Sequence, residues 1–138
     1  MFQIMVVEDD INARRLMQAV IEQNGYAAIP ASDGAEALAL MDKKHVDLIV
    51  LDVMMPHMDG YTLARELRSA GNNVPILMVT ARQSAKDKKE GFLAGTDDYM
   101  VKPVDEEEMM LRIAALLRRS RIVSERRLTI GSTTLDYD

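Results

Sequence analysis

With 138 residues, 48% of them hydrophobic and 28% charged, the chain has the makeup of one globular domain that buries a single core. A formal net charge of −5 argues against a surface built mainly to grip nucleic acid, and the absence of cysteine excludes disulfides and thiolate chemistry. Acidic residues come too soon after Met1 for a signal peptide and no apolar run is long enough to span a bilayer, so a cytoplasmic protein without membrane contact is expected.

Phe2 to Val7 is a short apolar run and reads as a strand. Leu16, Met17, Val20 and Ile21 then recur at helical spacing until Asn24-Gly25 supplies a stop. A second strand is expected at Tyr26 to Ile29, followed by a helix that opens at Asp33-Gly34 and carries Ala37, Leu38 and Met41. The third strand, Asp47 to Leu51, leads to Asp59-Gly60 and a helix through Leu63, Ala64 and Leu67 that ends near Gly71. Pro75 to Val79 is the fourth strand, with a helix from about Ser84 to Ala94; Tyr99 to Val101 is the fifth. After Pro103, a last helix sets Met109, Met110, Ile113, Leu116 and Leu117 on one stripe and ends at Arg118 and Arg119, where its dipole favours positive charge. Continuously apolar strands alternating with helices in this way predict a parallel sheet covered on both faces. The eleven methionines read as adaptable core filler.

Beyond the last stripe, RRSRIVSERR reads as a helix end running into a linker at 121–127, with a basic patch as the alternative. LTIGSTTLDYD, 128–138, alternates like a strand broken by a Gly-Ser turn and is too short to be stable alone. Residues 1–120 are thus expected to form the main domain.

The informative polar residues follow apolar strands directly: Glu8, Asp9 and Asp10 after the first, Asp52 after the third, Thr80 after the fourth and Lys102 after the fifth. In a parallel sheet the C-terminal strand ends share one edge, so these residues meet near the point where strand order reverses. Clustered carboxylates repel one another unless protonated or bound to a cation. Oxygen ligands without His or Cys favour Mg²⁺, with Asp9 as a direct ligand and Glu8 acting through water. Asp52 can be both ligand and nucleophile, since a carboxylate attacks phosphorus to give an acyl phosphate. Lys102 would offset charge on the transferring phosphoryl group and Thr80 would donate to its oxygens. Lys102-Pro103 is either a cis peptide that aims the ammonium inward or a trans proline opening the helix.

The strings VVEDD, LIVLDVMMPHMDG, ILMVTAR and GTDDYMVKP, in that order, resemble the receiver domain of two-component response regulators over about residues 1–120. The resemblance implies a flavodoxin-like (βα)5 fold with strand order 2-1-3-4-5. It implies Glu8 and Asp9 as the acidic pair, Asp52 as phosphoacceptor, the Met54 carbonyl as a further metal ligand, Thr80 as switch hydroxyl and Lys102 as the phosphate-contacting lysine. Tyr99 matches an aromatic switch position, its alternative being a simple core residue. A sensor histidine kinase is the implied phosphodonor, and the protein would catalyse only its own Mg²⁺-dependent phosphorylation and dephosphorylation. The subfamily resembled carries a winged-helix DNA-binding domain. Lys88, Asp97, Asp98, Glu108, Arg112 and Arg119 fall where that group pairs two receivers on phosphorylation, and 128–138 is similar to the start of its DNA-binding domain, which would be truncated here. DNA contact is expected only through that missing part. Val104 stands where a Phe is usual, and the Lys86-Asp87-Lys88-Lys89 run is unusually rich in Lys.

Other functions fit less well. An aspartyl-phosphate hydrolase would want an acid two residues after Asp52, where Met54 stands; a flavin carrier would not place Glu8, Asp9 and Asp10 beside a phosphate; and the Gly-rich motif of a P-loop nucleotidase is absent. An adaptor receiver that works only by binding another protein is the remaining alternative.

Overall fold

The computed structural model describes residues 1–81 and 85–131, with side chains described for 1–81 and 86–121. Elements alternate as β1 (Gln3–Val7), α1 (Ile11–Gln23), β2 (Ala27–Ala31), α2 (Gly34–Met41), β3 (Leu48–Asp52), α3 (Gly60–Ser69), β4 (Ile76–Thr80), α4 (Ala85–Ala94), β5 (Asp98–Val101) and α5 (Glu106–Gly131). All strand pairs are parallel, in the order β2-β1-β3-β4-β5. The alternation predicts the parallel sheet covered on both faces, and the flavodoxin-like strand order is the one that the family resemblance implies. Among the described residues, no helix is long and apolar enough to cross a membrane.

Strand periodicity sorts the core into two layers. Met5, Val7, Ile49, Leu51, Ile76 and Met78 face α2, α3 and α4, while Ile4, Val6, Leu48, Val50, Leu77 and Val79 face α1 and α5. Both faces being covered, the central strands have no need of polar residues until their C-terminal ends. Met5, Met17, Met78, Met100 and Met109 are buried and Met41, Met55, Met58 and Met110 pack partly buried against the core, whereas Met1 and Met54 are exposed and fill none of it.

Three local expectations change. β2 runs two residues further than Ile29 and includes Pro30. An edge strand allows this, because the alternation carries the proline nitrogen to the outer side, where no partner strand needs a donor. Leu16 is 55% exposed, since the buried face of α1 is centred on Met17, Val20 and Ile21, one position round the helix. Most visibly, α5 continues to Gly131 through 121–127, read above as a linker, and through 128–131, read as strand. No Gly or Pro interrupts 104–130, and good helix formers carry the backbone on. Arg118 and Arg119 are therefore mid-helix, not at a dipole terminus; residues 132–138 lie outside the described residues.

Candidate functional site

β1 and β3 are neighbours with Val7 opposite Leu51, so Glu8 and Asp52 extend side by side from the same sheet edge. β4 brings Thr80, and β5 runs into Lys102, whose amide donates to the Thr80 carbonyl at 2.8 Å. Glu8 is 1% exposed, Asp52 3% and Thr80 fully buried, whereas Asp9 is open to solvent. One carboxylate oxygen from each of Glu8, Asp9 and Asp52 lies within 4.8 Å of the others. The Lys102 ammonium is 3.0 Å from Glu8 Oε1 and 3.5 Å from Asp52 Oδ1, so it is held mainly by Glu8. Lys102-Pro103 is a cis peptide. The Met54 amide donates to Asp52 Oδ1 at 3.4 Å, which places the residue after Val53 at the rim of the cluster.

Three carboxylates facing one ammonium leave an excess of negative charge. Burial, then the Glu8 charge, pushes the Asp52 carboxyl up to about 7, with Lys102 opposing. Asp9, though exposed, is also raised, by partial desolvation of its carboxylate first and then by its hydrogen bond to Glu8 and the Glu8 charge. For Lys102, burial favours the neutral amine, but the hydrogen bond to Glu8 and the charges of Asp52 and Glu8 outweigh it and raise its value. The donor set is all oxygen, partly desolvated and under-neutralised, and it fits a hard divalent cation.

Local structure explains why the acidic residues take different jobs. Asp10, read above with the acidic pair, instead caps α1 by accepting from the Ala13 amide at 2.8 Å. Arg14, one turn into α1, donates through Nη1 to the Glu8 carbonyl at 2.8 Å and to the Asp9 carbonyl at 3.4 Å, bracing the loop that carries both carboxylates. Sequence reasoning missed this brace, because an arginine bonded to carbonyls leaves no pattern of its own.

Gly60 was read only as a helix start, yet its amide donates to the Val53 carbonyl at 2.9 Å. A Cβ there would sit 2.6 Å from the Asp52 carbonyl oxygen and 2.9 Å from the Val53 Cα, both backbone atoms. Gly60→Ala should therefore cost about 1–3 kcal/mol through forced backbone movement beside Asp52. An unchanged urea midpoint would show that the loop yields freely.

Tyr99 is buried, its ring packed where a side chain on Gly91 would come within 3.1 Å of it, and it belongs to the core layer beneath α4. The surface charges group differently from the site. Asp98 accepts from Arg112 Nη1 at 2.8 and 2.9 Å and from the Tyr99 amide at 2.8 Å, and Glu108 holds the same arginine through Nε and Nη2 at 3.0 and 2.8 Å. Asp97 is paired with Arg68 at 2.9 Å, while Lys88 on α4 and Arg119 on α5 are exposed. His45 lies 2.7 Å from Asp47 at the opposite end of the sheet, away from the carboxylate cluster.

A family model described as the response regulator receiver domain matches residues 4–114. Among curated proteins, response regulator MprA of Mycobacterium leprae is 44% identical over 119 residues, covering 86% of this chain and 52% of that protein. The chain thus spans about half the length of the curated relatives it matches. Among solved structures, the receiver domain of Francisella response regulator 1452 has a TM-score of 0.84 at 35% identity, over 87% of this chain and 99% of that one. The chemotaxis protein CheY4 of Vibrio cholerae has a TM-score of 0.80 at 32% identity, over 84% of this chain and 98% of that one.

Proposed function

Given that the chain belongs to the response regulator receiver family and is the receiver domain of a two-component response regulator, we propose that Asp52 is its phosphoacceptor. The observation that carries this reading is a carboxylate 3% exposed, 3.5 Å from the Lys102 ammonium and clustered within 4.8 Å of two further carboxylates. An ionised Asp52 oxygen attacks phosphorus while the bond to the donor breaks, the electron pair leaving with a histidine nitrogen of a sensor kinase or with the acetate of acetyl phosphate. The product is an acyl phosphate on Asp52, and the protein catalyses no reaction but its own phosphorylation and dephosphorylation.

Glu8, Asp9, Asp52 and the Met54 carbonyl would hold Mg²⁺, which supplies positive charge to the phosphoryl oxygens and helps keep Asp52 ionised. Lys102 exchanges part of its bond to Glu8 for the new anion. Thr80, at the end of β4, turns its hydroxyl to the same group, and Tyr99 shifts with it beneath α4. This biases an existing equilibrium between two forms of the α4-β5-α5 face. The favoured form dimerises through Lys88, Asp97, Glu108 and Arg119 around the Asp98–Arg112 pair, and in a full-length regulator with a winged-helix DNA-binding domain it controls transcription from the cytoplasm.

Two measurements test the reading. Intact mass after incubation with acetyl phosphate and Mg²⁺ should show one added phosphoryl group, lost when a chelator replaces the metal; no gain in mass contradicts the phosphoacceptor. Under phosphorylating conditions Glu108→Lys should sediment as monomer where wild type dimerises, and equal dimerisation would remove this face from consideration.

A further inference from the structure

Arg68, at the end of α3, commits all its nitrogens to the two loops that flank β4 and α4. Nε and Nη2 both donate to the Gly95 carbonyl, at 3.0 and 2.8 Å, and Nη1 donates to the carbonyls of Asn72 and Val74, at 3.0 and 2.7 Å. Nη2 also reaches Asp97 Oδ2 at 2.9 Å, and that oxygen accepts the Ile76 amide at 2.8 Å. The Asp97 amide returns a bond to the Ile76 carbonyl at 2.9 Å. Gly95 sits at φ 114°, and a Cβ there would meet Arg68 Cγ at 2.6 Å, so the corner and the arginine are shaped to each other. Fork-like, charge-assisted bonds to several acceptors make a stiff joint.

The other half of α4 is attached to α3 more lightly. The Tyr61 hydroxyl donates to the Asp87 carbonyl at 3.2 Å. Arg65 and Glu90 stand 3.6 Å apart with side chains 53% and 44% exposed, where screening leaves an ion pair little strength. The helix is thus pinned near its C-terminal end.

We infer that Arg68 is a positioning residue that locks the corner between α4 and β5 to β4, so that displacement of α4 turns about Gly95 and is largest in residues 86–90. Asp97 belongs to this joint through its 2.9 Å pair with Arg68. The inference rests on the phosphorylation of Asp52 only for what drives the turn, since the joint itself is present without it.

Amide hydrogen exchange tests both parts. Without phosphodonor, Arg68→Met should speed exchange at Ile76, Gly95 and Asp97 about tenfold, with Arg68→Lys in between. Unchanged exchange at all three amides overturns the joint. After acetyl phosphate and Mg²⁺, wild type should change exchange in residues 86–90 but not at 95–97, while in Arg68→Met the change should spread to 95–97 at an unaltered rate of adduct formation. Equal changes at both ends of α4 in wild type overturn the pivot. Absence of any adduct by mass instead contradicts Asp52 as acceptor, and the arm without phosphodonor then still decides the joint.

Discussion

Asp52→Asn, freed of metal with a chelator, should be more stable than wild type above pH 7. The buried Asp52 carboxyl titrates near 7 when folded against 3.8 when unfolded, so the folded state resists ionisation. The sign follows directly. Below the unfolded value both states are protonated and the residue costs nothing; from there to about 7 only the unfolded state ionises, and wild-type stability falls as pH rises. Above 7 the loss is complete. At 1.36 kcal/mol per unit the ceiling is ~4 kcal/mol, and solvent at the mouth of the site reduces the expected gain to about 2 kcal/mol. Asn keeps the shape, and Lys102 keeps its 3.0 Å bond to Glu8. Urea denaturation of both proteins from pH 4 to pH 8 should show curves that diverge through this window. A mutant less stable than wild type at pH 8 would mean that the Asp52 charge is neutralised within the fold, leaving no deficit for a cation to fill.

The same deficit predicts the second large effect. Mg²⁺ should bind wild type more tightly as pH rises through 7, because the ion displaces a proton from Asp52, and it should raise the unfolding midpoint in step. Asp9 is the solvent-facing member of the cluster, its carboxyl raised by partial desolvation and by Glu8, and Asp9→Asn should weaken Mg²⁺ binding by about tenfold or more. Calorimetric titration of both proteins at pH 8 measures this. Equal affinity would take Asp9 out of the metal site.

The sheet was legible because β1, β3 and β4 are buried on both faces and read as unbroken apolar runs, which few other structures allow. The site was legible for a related reason: Glu8, Asp52, Thr80 and Lys102 each break such a run at its C-terminal end, and a parallel sheet collects those ends. Boundaries set by tertiary context were not. Pro30 signals a stop unless the strand is known to be an edge, and RRSRIVSERR looks like a linker by charge although nothing in it ends a helix. Residues that act on backbone carbonyls were invisible for a different reason. Arg14 and Gly60 meet atoms that every residue possesses, and so does Arg68 in all but its bond to Asp97, so little in the choice of partner residues marks them in the sequence.

The most direct test of the central claim locates the phosphoryl group. Borohydride reduction of the phosphorylated protein, followed by peptide mapping, should find homoserine at position 52 in wild type, with neither adduct nor homoserine in Asp52→Asn. Homoserine at another aspartate, or an undiminished adduct in Asp52→Asn, would contradict the account.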